Sequence, residues 1–452
     1  MSISAEISRF AAEWLRCKNL FSASDDLCNL KAFHDQYICD ENFRASLEKD
    51  FQSVLNTHYP RLSSSDVNSY VNRTTYRIAN LSKHRSELNI RLHEILKTEQ
   101  SYRQHLKSLQ PLHIGMKEWR KAQITRLSKE DTSERCAQIT HIPFAIELTE
   151  GCSGGCHFCG LSASPLQTGV VGYNNNVDLF NTLLHELYKI CGLNAIGGTL
   201  YMATDPFDHP EFEQYAASFK KILGLWPVMT TALAERNLKR MKSLINLRAD
   251  GQDRPWGIRC SLRSKSAYQT LFRELSPLER ASLVLIPQYP GALSEQAIAG
   301  RAFSIKDQES QHLLGGTIAC VSGFLISLPR QLISLVTPCV AEPNHPKGYR
   351  ILCQTSFTAE TLRPKLELLL SQMPCPAIDA QTLLRLTIDS SQFKLYQQPS
   401  CPNLLEIMAQ QPFSINTLLA SMPEHYYKQE VISTSLKMLQ SGALRITSSR
   451  WL

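Results

Sequence analysis

The chain is 452 residues long, which accommodates two to four domains or one large barrel with appendages. Apolar residues make up 43% and charged residues 20%, and this excludes a disordered or fibrous chain. The 48 Lys and Arg against 41 Asp and Glu leave +7, which suits an acidic partner but is too weak to demand nucleic acid.

Residues 1–135 read as a helical region. Phe10, Ala11, Trp14 and Leu15 recur at helical spacing, as do Phe43, Leu47, Phe51, Val54 and Leu55. A further helix is expected around Ile90–Leu109, with Leu92, Ile95 and Leu96 on one face. Such a region covers the next domain or dimerises. The N-terminus mixes charges into its apolar stretch, so it reads as an amphipathic helix and not a secretory signal. The longest nearly apolar run, Thr317 to Leu328, falls short of the ~18 residues that a spanning helix needs. A cytoplasmic protein with no membrane partner is therefore expected. Its 14 cysteines would be reduced there, which points to metal binding or catalysis more than to disulfides.

Residues 136–397 alternate between β-rich runs and helical stretches. The runs are PFAIELT, GTLYMAT, WPVMTTAL, WGIRCSL, ASLVLIPQY and QLISLVTPC. Six alternating units predict an α/β fold, a parallel sheet closed into a partial (β/α)6 barrel, with ligands at the carboxyl ends of the strands. Residues 398–452 read as a separate small module. Two helical patterns and a short strand place Leu418, Leu419, Val431, Ile432, Leu436 and Leu439 in one core, resembling half of a winged helix. This module is expected to be a structural cap or to bind a peptide. Glu430 on the helix that would read DNA, and the lack of basic bias, argue against nucleic acid.

The most specific signal is Glu150-Gly-Cys-Ser-Gly-Gly-Cys-His-Phe-Cys-Gly160, directly after the first β-rich run. It sets Cys152, Cys156 and Cys159 in a C-x3-C-x2-C spacing. Fourteen cysteines scattered over 452 positions would produce this about 0.01 times by chance. Gly154 and Gly155 let the loop fold tightly around an inorganic core. Three thiolates on one loop suit an iron–sulfur cube with one iron left open. A zinc site would need a fourth ligand, for which His157 is the nearby candidate.

This loop resembles the signature of the radical S-adenosylmethionine (radical SAM) enzymes, over about residues 140–395. The resemblance implies one [4Fe–4S] cluster on Cys152, Cys156 and Cys159, with SAM chelated at the open iron. It implies that Phe158 lies against the adenine. Asp205, in Ala203-Thr204-Asp205-Pro206 where the family commonly has Gly-Gly-Glu-Pro, would accept a hydrogen bond from the SAM amino group. Thr204, Thr231 and Ser261 would complete the SAM wall, Ser261 at the ribose and Cys260 on the opposite face of its strand. No second C-x2-C or C-x3-C group occurs among Cys191, Cys260, Cys320, Cys339, Cys353, Cys375 and Cys401, so a single cluster is expected.

The strings CSGGCHFCGLSASP, ATDPFDHPEF, IACVSGFLISL and TPCVAEPNHPKGYR resemble the proteusin-type epimerases that turn L-residues into D-residues in ribosomally made peptides. The implied partners are a precursor peptide with a leader, and an electron donor such as flavodoxin or ferredoxin. Epimerisation needs a thiol to return a hydrogen atom to the far face of a planar carbon radical. Cys339 is the expected donor, because it follows the run QLISLVT at what would be the carboxyl end of a late barrel strand. Cys320 and Cys353 are expected to pack as small apolar residues. The alternatives are a maturase that crosslinks a peptide and a redox-sensing iron–sulfur regulator.

Overall fold

The computed structural model describes residues 5–67, 86–131, 133–167, 172–249, 253, 256–293, 299–305, 319–373, 383–386, 403–423, 428–440 and 443–446. Cys375 and Cys401 lie outside these residues. The fold is mixed α/β. Among the described residues eight helices precede the first strand: α1 Ala5–Ser22, α2 Asp25–Cys39, α3 Glu41–Lys49, α4 Phe51–His58, α5 Ser64–Val67, α6 Glu87–Ser108, α7 Ile114–Glu130 and α8 Ser133–Gln138. Side-chain caps set several of their starts. Ser24, Asp40 and Asp50 each accept an N–H from the first turn of the helix that follows, so 41–58 forms two helices and not one.

The strands are β1 Ile142–Glu147, β2 Met229–Thr231, β3 Ile258–Leu262, β4 Leu283–Pro287, β5 Val321–Ser327, β6 Leu332–Pro338 and β7 Tyr349–Ser356. Among them run α9 Tyr173–Cys191, α10 Phe212–Leu223, α11 Leu238–Leu247, α12 Lys265–Glu274 and α13 Pro277–Ala281, with α14 Leu362–Gln372 after β7. One sheet has the order β1-β5-β6-β7 and another β2-β3-β4. Thr199 joins them, bridging in parallel to Ala145 on one side and Val228 on the other. A parallel run β5-β1-Thr199-β2-β3-β4 results, with crossover helices between its members as parallel pairing requires.

The six-unit reading needs one correction. The run QLISLVTPC forms β6, which is antiparallel to β5 and not a sixth parallel strand. Only Leu328–Gln331 separates Ser327 from Leu332, far too short for a crossover of a dozen or more residues. The parallel place beside β1 goes instead to β5, from the apolar run before it. GTLYMAT contributes a single bridging residue, Thr199.

The sheet is covered on both faces. Phe144 and Ile146 of β1 join the main core with Phe180, Leu183 and Phe219 of α9 and α10. Ala145, one residue along and so on the other face, packs with Val321, Val336, Met202 and Tyr349. The N-terminal helices complete this structure. Phe10, Tyr102, Met116 and Trp119 belong to the main core, while Trp14 meets Trp256 edge to face at 5.5 Å. Leu15 points away from that core and is exposed.

A third set of elements is α15 Leu404–Gln410, α16 Ile415–Ser421, α17 Lys428–Gln440, and the strands β8 Leu384–Leu386 and β9 Leu444–Ile446. Leu384, Leu405, Met408, Leu418, Val431, Met438 and Leu444 form a core of their own. The module therefore reaches back to β8, before the expected boundary at 398. Ile432 is exposed and Leu436 half-buried, so Met438 fills the place expected of them. No described helix is long and apolar enough to cross a membrane.

Candidate functional site

The cysteine loop leaves the carboxyl end of β1 and closes on itself. The Cys152 N–H donates to Ser164 O at 2.9 Å, and the Gln167 N–H to Glu150 O at 2.8 Å. Gly155 has φ +58°, in the left-handed region that favours glycine. At Gly154 a Cβ would stand 3.2 Å from Cys152 Sγ and 3.4 Å from Cys156 Sγ, so two sulfurs flank a space that only glycine leaves open. The Gly154 N–H donates to Cys152 Sγ at 3.3 Å, and the Ala163 N–H to Cys159 Sγ at 3.5 Å. Burial pushes the Cys152 thiol up to about 12 and the Cys156 thiol to about 11.

These residues fit an anionic iron–sulfur group in the following respects. Backbone N–H groups already point at two of the sulfurs, the kind of hydrogen bonding that tunes such clusters. The Arg263 Nε lies buried without a hydrogen-bond partner beside the loop. Among the described residues no three Cys, His, Asp or Glu side chains gather around one point, as a single ion held at about 2.3 Å by thiolates would need. Three thiolates that each take a different iron of a cube do not have to meet at one point. His157 is exposed, its ring edge to face with buried Phe158 at 5.1 Å.

Asp205 lies next to this loop. Its Oδ1 accepts from the Phe207 N–H at 3.0 Å and the Thr231 hydroxyl at 2.8 Å, and its Oδ2 from the Ala232 N–H at 2.7 Å. It also caps the 3-10 turn Pro206–Asp208. Burial raises its carboxyl to about 6, against the pull of those three donors. A carboxylate offers about four acceptor positions, so capacity for another donor remains. Asp208 ties the two parts together, accepting the Ser153 N–H at 2.9 Å and hydroxyl at 2.5 Å.

The structure thus carries Cys152, Cys156 and Cys159 on one loop, with the bonded pair Asp205 and Thr231 beside it. Thr204 is half-buried one residue before Asp205. Ser261 is half-buried on one face of β3, while Cys260 is buried in the main core on the other. Two acids and two cations lacked any sequence signal. Glu147, at the end of β1, accepts the Ala203 N–H at 2.8 Å, and burial holds its carboxyl above the usual range. Asp208 is the second acid. The cations are Arg263 and Arg301, each bonded to carbonyls of the cysteine loop.

Cys339 is not where the sequence reading put it. Because β6 is antiparallel, its carboxyl end lies beside the amino ends of β5 and β1, opposite the end from which the cysteine loop departs. Cys339 is fully buried there, its N–H donating to Gly348 O at 3.0 Å. The segment after it does return to the cysteine loop. Pro346 O accepts the Gly300 N–H at 2.6 Å, and the Arg301 N–H donates to Cys159 O at 3.0 Å. Cys353 packs against the main core and Cys320 is half-buried before β5.

No family model matches the chain, and no solved structure matches it. It is similar to the uncharacterized protein y4wI of Sinorhizobium fredii, with 33% identity over 278 residues. The match takes in 58% of this chain and 52% of the relative, so it spans about half of that protein's length.

Proposed function

We propose that the chain is a radical SAM enzyme that epimerises residues of a ribosomally made precursor peptide. One observation carries this reading: three cysteines in C-x3-C-x2-C spacing on a loop at the carboxyl end of a parallel strand, with buried Asp205 alongside. In this reading Cys152, Cys156 and Cys159 hold one [4Fe–4S] cluster, and Asp205 accepts from the SAM amino group. Bound there, cluster and SAM would supply a 5′-deoxyadenosyl radical able to remove a peptide α-hydrogen. The chain's own work is positioning. Thr231 and the Ala232 and Phe207 amides orient the Asp205 carboxylate. Phe158, Thr204 and Ser261 line the cofactor.

The strands with their helices form a partial barrel of the radical SAM type in this reading, and the C-terminal module a winged-helix-like reader for the leader. What supports the second point is β8, which lies between β9 and a bridge to Phe413, with three helices packed behind it. The hydrogen-atom donor expected at Cys339 is left unassigned in this reading, because Cys339 is buried beside the amino ends of β5 and β1, away from the end that carries the cysteine loop.

The test is anaerobic reduction with SAM and the precursor peptide in heavy water. The expected outcome is deoxyadenosine, one deuterium per converted residue, and D-residues after hydrolysis. A loss of two hydrogens would indicate a crosslink instead. Absence of deoxyadenosine from iron-loaded protein would refute the radical reading. Replacing Cys152, Cys156 and Cys159 together by Ala should abolish iron binding. Cys339→Ala should keep both deoxyadenosine formation and D-residues, given where Cys339 lies. Loss of D-residues with deoxyadenosine intact would return Cys339 to the donor's role.

A further inference from the structure

We propose that Arg263 and Arg301 are positioning residues, two cationic arms that clamp the cysteine loop and set positive charge beside the anionic group it binds. The clamp itself follows from the geometry, and only the nature of that group rests on the iron–sulfur reading.

Arg301 belongs to the 3-10 stretch Gly300–Ile305. Its Nε donates to Cys156 O at 2.9 Å and its Nη1 to Ala163 O at 2.9 Å. Its backbone N–H adds a third bond, to Cys159 O at 3.0 Å. One residue thereby fixes the stretch that carries two of the three thiols, from a position 145 residues away from Cys156. The approach demands a glycine before it. Gly300 has φ +57°, and a Cβ there would fall 2.4 Å from Gly160 O and 2.6 Å from Cys159 O.

Arg263 holds the other half of the loop. It follows β3, donates Nη1 to Gly154 O at 3.0 Å, and pairs Nη2 with Glu235 Oε1 at 2.5 Å. Its Nε is the buried atom without a partner already noted. A buried guanidinium N–H is costly when nothing accepts from it, so this donor is available to an acceptor bound at the loop. Glu235 offsets the charge of Arg263, while Arg301 has no carboxylate partner among the described residues, so its guanidinium charge stands beside the loop without a direct counter-ion. Lysine cannot replace either residue, since each uses a planar fork whose N–H groups reach two separate acceptors, two carbonyls for Arg301 and one carbonyl and the Glu235 carboxylate for Arg263.

Two measurements test this on the full chain. The first is hydrogen exchange of the metal-free protein. In Arg301→Ala the amides of residues 156–163 should exchange about tenfold faster than in the wild type, with α9 and β3 unchanged, because the local opening loses its fastening. Arg301→Lys, which keeps the charge and the backbone bond, should show most of the same loosening. Unchanged exchange in both variants would overturn the clamp. The second is the midpoint potential of the iron-loaded protein. Arg301→Gln and Arg263→Gln should lower it, since removing a nearby cation disfavours adding an electron to an anion. Potentials equal to wild type in both would overturn the electrostatic part. A wild type that binds no iron would refute the iron–sulfur reading and leave the exchange result to judge the clamp.

Discussion

The helices before β1 share their core with the sheet, whereas the elements from β8 onward keep a core of their own. Phe10, Ala11, Tyr102, Met116 and Trp119 lie in the same apolar cluster as β1, α9 and α10. A second cluster joins Trp14, Leu27, Phe33 and Ile95 to Trp256 and Ala281. Polar links reinforce this seam: Lys18 with Asp253 at 3.1 Å, Lys265 with Asp40 at 2.7 Å, and the Tyr289 hydroxyl to Cys39 O at 2.7 Å. The C-terminal module has Leu384, Leu405, Met408, Leu418 and Val431 packed among themselves, and α17 touches α7. The difference teaches that "helical region" at the two ends of one chain describes two physical situations. One is a structural layer that completes the core of the sheet. The other is a body with its own apolar core.

The largest expected effect follows from the shared seam. Trp256 is 4% exposed and donates its indole N–H to Ala281 O at 3.0 Å, with Trp14 against its ring. Trp256→Ala should cost about 3–5 kcal/mol and lower the melting temperature of sheet and N-terminal helices together. Calorimetry that showed the N-terminal helices melting in a transition of their own would break the comparison. A smaller effect is expected at the other end. Leu418→Ala, in the module's core, should cost about 2–5 kcal/mol locally, so the module melts earlier while the main transition stays in place. A single shifted transition would show that the two bodies are one cooperative unit.

Much of this organisation was legible in the sequence, and what escaped has identifiable causes. The helical spacing of Phe10, Ala11 and Trp14 is a local signal and marks the buried face correctly. The cysteine motif is local too. The direction of β6 was a matter of chain length: Leu328–Gln331 is too short for a crossover, whereas attention to apolar content alone gives no direction. β5 lies within a continuous apolar run, which shows neither helical nor strand period. Arg263 and Arg301 gave no local pattern, because their partners lie 109 and 145 residues away. The module's start at β8 was hidden because that strand has three residues and pairs with β9 across the helices.

The smallest expected effect compares one residue from each end. Leu15 on α1 and Ile432 on α17 are both apolar, both at positions where helical spacing suggested core, and both 37% exposed. Each sits next to a residue that is buried, Trp14 and Val431, so the helix turns a neighbouring position toward solvent by about 100°. Replacing either by Ser removes little buried area, and both changes should stay within about 0.5 kcal/mol of wild type. Their consequences should then separate. On α1 the surface belongs to the structural layer, and Leu15→Ser should leave peptide affinity unchanged. On α17 the exposed Ile432 lies on the body proposed to read the leader. There Ile432→Ser should weaken leader binding severalfold at constant stability, measured by titrating labelled leader peptide. Equal affinities for the two variants would place the leader elsewhere and leave the C-terminal module as a cap.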